Sequence, residues 1–261
     1  MKLNRKPEMG LLREEARVFG LHLTPEHLEA FRIYYRELIA WNQRVNLTAI
    51  TGYRDVQYKH FLDSLSCLLA FPYPSVSDPV LDVIPIYDRA HSPLRCIDVG
   101  TGAGFPGVPL KILRPEIRLT LLEATEKKVR FLRHLVDKLN LRDVEIIHGR
   151  AEDFGRDSRY RERYDVVLAR AVAVLRVLVE YCLPFCRVGG RLIAQKGREV
   201  EEEIRSAQKA IGILGGEIKA VKALELPGLR EPRNLIVIEK TAPTPLKYPR
   251  RAGMPAKHPI Q

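Results

Sequence analysis

A glycine-rich turn constrains this chain more than any other feature. Residues 98–107 read Asp-Val-Gly-Thr-Gly-Ala-Gly-Phe-Pro-Gly, directly after an apolar run that ends at Cys96 and Ile97 and before a helix-like segment. Glycine lets the chain reverse tightly and brings bare backbone against a ligand, because it has no side chain. The segment therefore predicts a strand, a glycine loop and a helix start that bind a nucleotide-type cofactor. A loop that merely connects two elements is the alternative.

The acidic residue that accompanies such a loop is also present. Residues 119–122 are a second apolar run, and Glu123 ends it about twenty residues after the glycines, where a carboxylate usually binds ribose hydroxyls. Glu123 has a second interpretation as the cap of the helix that begins near Thr125. Both roles are compatible, so both stay open.

The identity of the cofactor is the first choice, since Gly102, Gly104 and Gly107 also spell the G-x-G-x-x-G motif of dinucleotide dehydrogenases. Two residues disfavour a pyrophosphate there. Asp98 places a carboxylate at the strand end, and Pro106 lacks a backbone N–H where phosphate would need a donor. S-adenosylmethionine avoids both costs, because it carries no phosphate and its ammonium and sulfonium groups tolerate Asp98. A nicotinamide dehydrogenase remains the alternative enzyme.

Length and charge limit the partners. A chain of 261 residues can form one main domain with a small appendage, and a hydrophobic content of 46% is normal for a globular protein. The net charge of +11 favours a polyanionic partner, because Lys and Arg release counterions from each phosphate that they neutralise. A basic surface without a special role is the alternative, and so is a basic RNA-binding protein with a vestigial pocket.

Other classes of site are disfavoured. The four cysteines form no C-x-x-C pair and lie in apolar runs, which predicts small buried side chains and neither a metal site nor a disulfide framework. The most apolar stretch, residues 166–185, is interrupted by Arg170, Arg176 and Glu180, which predicts that nothing spans a membrane. We therefore expect a cytoplasmic protein, and we expect a monomer.

Four regions follow one another along the chain. Residues 1–72 are predicted to be a helical extension, with Thr24 capping a helix that has Pro25 in its first turn. Residues 73–94 hold four prolines and predict a linker or insertion, and residues 241–261 form a basic, proline-rich tail that we expect to build no core. Between them, residues 95–240 alternate strand-like and helical runs, with strands predicted at 96–99, 119–122, 144–147, 166–169, 191–195 and 235–238. This alternation predicts an α/β fold with a mostly parallel, doubly wound sheet.

Polar residues at the predicted strand ends are the candidates for the site, because ligands collect at the carboxyl ends of parallel strands. Arg170 interrupts an apolar run and needs a carboxylate, a carbonyl or a phosphate, and an ion pair with Glu152 is the structural alternative. Basic residues at the fifth and last strands and in the tail suit phosphate contacts, and a polar group lies on an N-terminal helix. These residues are Lys196, Arg233, Lys247, Arg250 and Arg251, and His60, Asp63 and Ser64. A passive, solvated tail is the alternative to RNA binding.

The absence of two motifs narrows the reaction. Methylation of an exocyclic amine typically uses an Asn-Pro-Pro-aromatic turn after the fourth strand, and methylation at cytosine C5 needs a cysteine there. This chain has Ala-Arg-Ala at residues 169–171 instead. A target that already carries a lone pair needs no activation, so alignment of the two reactants is the main requirement. We expect no obligatory catalytic base, and His60, Asp63 and Arg170 are only weak candidates.

Taken together, these segments resemble the RsmG family, also called GidB or glucose-inhibited division protein B, over nearly the whole chain. Short segments carry the resemblance: Trp41-Asn42, Asn46-Leu47-Thr48, His60 to Ser64, the glycine loop through Gly107, Arg130-Phe131-Leu132, Arg170-Ala171, Lys196-Gly197 and Lys247 to Arg251. The insertion at 73–94 departs from the shorter connection that is usual in the family.

The resemblance implies a class I, Rossmann-like methyltransferase that uses S-adenosylmethionine. The acceptor that it implies is N7 of guanine 527 in 16S ribosomal RNA, within the small ribosomal subunit. It also implies cofactor contacts from the glycine loop and from the ends of the strands: Asp98, Gly100, Gly102, Gly104, Phe105, Glu123, Ala151, Glu152 and Arg170. His60, Asp63, Lys196 and Arg233 are weaker candidates for the RNA side.

Overall fold

The structure is a computed structural model that describes residues 9–71, 93–226, 228–229 and 232–261. Seven strands form one sheet at its centre. In chain order they are β1 (Arg95–Val99), β2 (Arg118–Glu123), β3 (Val144–His148), β4 (Tyr164–Arg170), β5 (Cys186–Lys196), β6 (Gly216–Leu224) and β7 (Arg233–Lys240).

The spatial order of the strands is β3-β2-β1-β4-β5-β7-β6. Neighbouring strands from β3 to β5 are parallel, and β7 runs antiparallel to both β5 and β6. The order reverses at β1, which pairs with β2 on one side and β4 on the other. The prediction of a mostly parallel, doubly wound sheet is therefore confirmed, and ligands are expected where the order reverses.

Helices cover both faces of the sheet. Side chains alternate along each strand, so Cys96 packs into one apolar core and Ile97 into the other. The helices are α1 (Gly10–Ala16), α2 (Pro25–Asn42), α3 (Tyr53–Val56), α4 (Asp63–Leu65), α5 (Gly107–Leu113), α6 (Glu126–Lys138), α7 (Ala151–Phe154), α8 (Leu175–Cys182), α9 (Glu201–Ile213) and α10 (Met254–Lys257).

The N-terminal helices share a core with the sheet. Thr24 caps α2 by accepting a hydrogen bond from the backbone N–H of His27, and Pro25 occupies the first turn. A π-helical segment, Gln57–Leu62, joins α3 to α4. The ring of Phe61 on this segment lies 6.1 Å from that of Phe105 in the glycine loop, so helix packing directly supports the loop.

One strand escaped the sequence analysis. β6 lies at the edge of the sheet, and none of its residues is fully buried: half-buried and exposed residues alternate over 216–221, and residues 221–223 are all exposed. Charged side chains, such as Glu217, Lys219 and Lys222, occupy it because one edge and much of its surface face water. β6 therefore contains no apolar run, and a period of two holds only for residues 217–220 of its sequence.

The expectation that residues 241–261 build no core is wrong. Tyr248 and Ile260 are buried in the core beneath α8. The guanidinium of Arg161 donates to the carbonyl oxygens of Thr244 and Tyr248 at 2.6 and 2.7 Å, and Arg156 donates to a further carbonyl of the segment. A segment with few apolar residues is thus held by hydrogen bonds from side chains outside it.

Three further expectations concern the linker, the cysteines and membrane-spanning helices. The prediction of a linker at 73–94 falls, apart from residues 93 and 94, outside the described residues. Cys67, Cys96, Cys182 and Cys186 are all buried and reduced, and burial raises the pKa of each thiol. Within the described ranges, no helix combines the length and the apolar character needed to cross a membrane.

Candidate active site at the carboxyl ends of the strands

A buried carboxylate holds the glycine loop together. Asp98 is fully buried at the end of β1, and its Oδ2 accepts hydrogen bonds from the hydroxyl of Thr101 at 2.6 Å and from the backbone N–H of Gly107 at 2.8 Å. Burial raises the pKa of Asp98 to about 6, although both hydrogen bonds act in the opposite direction. Asp98 therefore orders the loop by joining its start to the first residue of α5.

Two glycines show why the loop needs this residue type. A Cβ atom at Gly104, where φ is +99°, would lie 2.7 Å from the hydroxyl oxygen of Tyr34. That hydroxyl donates a hydrogen bond to the carbonyl of Ala103 at 2.6 Å, so α2 is bonded directly to the loop. Gly102 has φ +61°, and nothing described lies within 4 Å of the place where its Cβ would be. The backbone at Gly102 therefore borders open space, as a ligand requires.

Glu123 bridges the loop and the next helix. Its Oε2 accepts a hydrogen bond from the backbone N–H of Gly102 at 2.9 Å, and its Oε1 accepts one from Thr125, the residue before α6, at 2.8 Å. The carboxylate therefore fixes the chain just before α6, but it caps no backbone N–H of the helix itself, so the cap interpretation is not met. Each oxygen retains a further lone pair, so contact with a ribose stays a prediction.

The loop fits S-adenosylmethionine on three counts. Open space lies beside Gly102, and the Glu123 carboxylate stands at its edge. Oδ1 of Asp98 is buried and accepts no hydrogen bond from any part of the chain that the structure describes. Such an atom suits a cationic donor, and the ammonium group of this cofactor is one. Two carboxylates at neighbouring strand ends would instead repel a pyrophosphate.

Two cofactor candidates lie further from the loop. Ala151 begins α7, after β3, and is half-buried. Glu152 is buried beside it, but its Oε1 accepts a hydrogen bond from the backbone N–H of Gly253, in the C-terminal segment. The Glu152 side chain therefore anchors that segment, and it does not pair with Arg170 as the structural alternative supposed. A cofactor contact from the pair remains a prediction.

Arg170 pairs with a residue of the N-terminal helices instead. Its Nη1 lies 2.9 Å from Oδ2 of Asp63, a carboxylate with a side chain only 3% exposed. Nη1 also donates to the carbonyl of Lys59 at 3.2 Å. The guanidinium lies over the Phe105 ring, 4.9 Å from its centroid. Arg170 thus connects the end of β4, the glycine loop and the π-helical segment.

His60 is held as a neutral imidazole. Nη2 of Arg170 lies 3.3 Å from its Nδ1, and arginine only donates, so Nδ1 must accept. The proton therefore sits on Nε2, which lies 2.8 Å from the Thr48 hydroxyl. Burial, together with the charge of Arg170, lowers the pKa of His60 to about 3. The ring stacks on Phe105 with centroids 4.4 Å apart. With both nitrogens engaged, His60 is a poor general base.

A cavity of about 340 Å³ opens beside this cluster. It lies between the π-helical segment and the carboxyl ends of β4 and β5, next to the glycine loop. Most of its lining residues are polar or charged, although much of the surface that they present to the cavity is apolar. The lining residues are Ile50, Lys59, His60, Asp63, Arg170, Ala171, Gln195, Lys196, Gly197 and Arg233.

The basic residues that the sequence proposed are divided between this cavity and the C-terminal segment. Nζ of Lys196 contacts the carbonyl of Ala173 and a carboxylate of Glu203, and Nε of Arg233 lies 3.4 Å from Oδ1 of Asp63. Both line the cavity, so RNA contacts remain predictions for them.

Among the tail residues, Arg250 changes its interpretation. Its guanidinium and its backbone N–H bind the carboxylate of Glu180, which is fully buried on α8. Arg250 is therefore a structural residue in this fold. Lys247 and Arg251 are exposed and remain candidates for RNA contact.

Tyr34 and Gln195 were missed by the sequence analysis. Gln195 is 4% exposed and lines the cavity, and its position at the end of an apolar strand was a usable signal. Tyr34 carried no comparable signal, because an aromatic residue on the apolar face of a helix is usually a core residue. Over the described ranges, no cluster of three or more His, Cys, Asp or Glu residues could hold a metal ion.

Comparison with known proteins agrees with this geometry. Residues 27–235 match the family model of GidB, described as rRNA small subunit methyltransferase G. A ribosomal RNA small subunit methyltransferase G from Roseiflexus sp. is 49% identical over 252 residues, which cover 97% of this chain and 100% of that protein. Its counterpart from Roseiflexus castenholzii is 50% identical and covers 93% of this chain and 95% of its own length.

A solved structure, M. jannaschii TYW2 in complex with AdoMet, is 14% identical, with a TM-score of 0.47 over 57% of this chain and 70% of its own. A likeness that weak supports no conclusion about the site. The family match instead covers most of the chain and includes the glycine loop, Arg170 and the polar residues between His60 and Ser64. It removes the dehydrogenase and the vestigial-pocket alternatives. The chain belongs to the GidB family of rRNA small subunit methyltransferases.

Proposed function

We propose that the protein transfers a methyl group from S-adenosylmethionine to N7 of a guanine in 16S ribosomal RNA, guanine 527 by family resemblance. The observation that supports this most directly is the adjacency of two spaces. The glycine loop borders one, and the cationic cavity beside Arg170 is the other. Phe105 and Arg170 contact each other at the boundary between them.

The side chains of the site suit alignment rather than proton transfer. S-adenosylmethionine supplies the methyl group when it is bound. Guanine N7 carries an in-plane lone pair and loses no proton, so no general base is needed. His60 is neutral with both nitrogens engaged, and Asp63 is bound to Arg170. The aromatic and charged side chains around Arg170 form a rigid wall that positions the base. Such positioning lowers the activation barrier of methyl transfer by several kcal/mol.

The partner is proposed to be RNA within the assembled small subunit. The lysines and arginines around the cavity supply phosphate contacts, and a base in a single-stranded loop can enter a pocket of this kind. We propose that the protein acts as a monomer. We place the reaction in the cytoplasm, where small subunits are assembled.

Methylation of purified RNA and of purified subunits tests this function. We expect radiolabelled methyl transfer to small subunits, at a position that becomes cleavable by aniline after reduction, with N7-methylguanine as the product by mass analysis. Naked 16S RNA in a parallel reaction distinguishes the two possible substrates. Methyl groups on N1, N2 or a cytosine would reject the proposal.

A variant pair connects this activity to the cavity. Arg170→Ala should lower the rate on the order of 100-fold, because it removes the hydrogen-bond donor to Oδ2 of Asp63 and the guanidinium that lies over Phe105, two contacts that align the base. Arg205→Ala is the matched control, since Arg205 forms an exposed ion pair with Glu202 on α9. Equal rates for the two variants would remove Arg170 from the site.

A further inference from the structure

We propose that two buried acceptor atoms, Oδ1 of Asp63 and Oε1 of Gln195, read the Watson–Crick edge of the target base and select guanine. The inference rests on the proposed function, and it assigns to this pair a specificity that methyl-donor binding does not explain. The two residues lie on different elements, the start of α4 and the end of β5, and the fold brings them to the same cavity.

The orientation of the Gln195 amide is settled by its neighbour. Nε2 lies 2.7 Å from the main-chain carbonyl of Asp63, which can only accept, so the NH₂ group must face that carbonyl. Oε1 consequently points away from it. Gln195 is 4% exposed, yet its Oε1 accepts no hydrogen bond from the residues described.

The two carboxylate oxygens of Asp63 differ, because, within the described residues, one accepts a hydrogen bond and the other does not. Oδ2 accepts a hydrogen bond from Arg170 at 2.9 Å. Oδ1 is buried as well, but across the described chain it has only an ion-pair contact, with Nε of Arg233 at 3.4 Å, and no hydrogen bond. Because Nε2 of Gln195 binds the main chain of Asp63, the two acceptors belong to residues in contact with each other, and both residues line the cavity.

Buried acceptors without a hydrogen bond are costly and rare, so two beside one cavity need an explanation. A ligand with two adjacent donors would satisfy both. Among the four RNA bases, only guanine presents two neighbouring donors, N1–H and the N2 amine, on its Watson–Crick edge. Adenine presents a lone pair at N1, and the pyrimidines present one donor beside acceptors. Proteins that recognise unpaired RNA bases commonly use this edge.

The same contact explains why N7 would be available for reaction. N7 lies on the opposite edge of the purine from N1 and the N2 amine. A guanine held by its Watson–Crick edge therefore directs N7 away from Asp63 and Gln195. A purely structural role for these side chains would leave Oε1 of Gln195 without any function.

Base analogues in the target RNA test the proposal. Inosine keeps N1–H and lacks the N2 amine, whereas 2-aminopurine keeps the amine and lacks N1–H. We expect the unmodified enzyme to methylate RNA with either analogue less efficiently than guanosine, roughly 10- to 100-fold by kcat/KM, the range for one lost hydrogen bond to a buried acceptor. Use of inosine as efficiently as guanosine overturns the inference without any variant.

Gln195→Met identifies the residue. The substitution removes Oε1 and keeps the size of the side chain, so it should lower kcat/KM for guanosine. The analogue that already lacks the donor bound by Oε1 should change little. The preference for guanosine over that analogue should therefore fall about tenfold. If Gln195 had only a structural role, the substitution would lower kcat/KM for the guanosine, inosine and 2-aminopurine RNAs by the same factor. The matched control is Gln57→Met, because Gln57 is equally buried but bonds to Leu12 and Tyr53 through its two polar atoms.

Each outcome has one meaning. Unchanged preferences in Gln195→Met overturn the base-reading role while the proposed function stands, because guanosine is still methylated. Absence of any methyl transfer to the guanosine RNA by the unmodified enzyme rejects the proposed function and this inference together.

Discussion

The buried ion pair between Arg250 and Glu180 yields a prediction that distinguishes a structural residue from an RNA contact. Glu180 has a side chain only 1% exposed, and it accepts hydrogen bonds from the guanidinium and from the backbone N–H of Arg250. Arg250→Ala removes the charged partner and leaves the buried carboxylate with only the backbone N–H of residue 250 as a donor among the residues described. The neighbouring Arg251 is exposed, so Arg251→Ala is a control of the same chemistry one position away.

The magnitude follows from the geometry. Breaking a buried ion pair by removing one partner costs about 3–5 kcal/mol of unfolding free energy. We expect a value near the lower end, about 3 kcal/mol, because water reaches the 26% exposed side of Arg250 and the backbone donor to Glu180 survives the substitution. For a chain of this size, the melting temperature should fall by roughly 6–12 °C.

Urea denaturation followed by circular dichroism measures this loss, with Arg251→Ala expected within about 0.5 kcal/mol of the unmodified protein. Adding Glu180→Gln to Arg250→Ala should recover part of the stability, since it removes the uncompensated charge. Equal stabilities for the two arginine variants would refute the reasoning. Reduced RNA affinity in a fully stable Arg250→Ala protein would restore Arg250 to the RNA surface.

Three further predictions concern the site and the surface. Glu123→Ala should weaken binding of S-adenosylmethionine by about 1–3 kcal/mol in calorimetry, and unchanged affinity would exclude Glu123 from the site. His60, with a pKa of about 3 in the fold and about 6.5 when unfolded, should cost stability as pH falls from 6.5 towards 3, because only the unfolded chain takes up the proton. His60→Gln should flatten this loss in urea titrations at pH 7 and 4, and an unchanged pH dependence would contradict it. The double variant Lys247→Ala, Arg251→Ala should reduce the slope of log K for RNA binding against log salt concentration by up to roughly 1 per residue. An identical slope would show that these two residues contact no phosphate.

Local patterns were sufficient for the strands that are buried on both faces. A parallel strand between two helical layers is apolar throughout, so β1, β2 and β4 are visible as short hydrophobic runs between glycines and charges. The edge strand β6 obeys a different rule, because water contacts much of it and its charged residues interrupt any apolar run. Its place beside β7 depends on antiparallel pairing between distant residues.

The C-terminal segment shows a second limit. Its composition, rich in proline and arginine, predicts a solvated tail. The partners that order it, Arg161 and Glu180, lie many residues earlier in the chain. A local sequence pattern contains no information about hydrogen bonds to groups that only the folded chain brings near.

The sequence by itself determined the glycine loop, because a tight turn with positive φ angles requires glycine at particular positions and the requirement is local. It also determined the chemical types of the site residues, including Arg170 and Asp63. Only the tertiary structure decided that these two residues pair across 107 positions of sequence and that Gln195 joins them. Side-chain partners depend on how helices and strands pack, and packing is a property of the whole core rather than of any segment. For the same reason, only the structure pairs Arg250 with the buried carboxylate of Glu180, although the next residue, Arg251, is exposed.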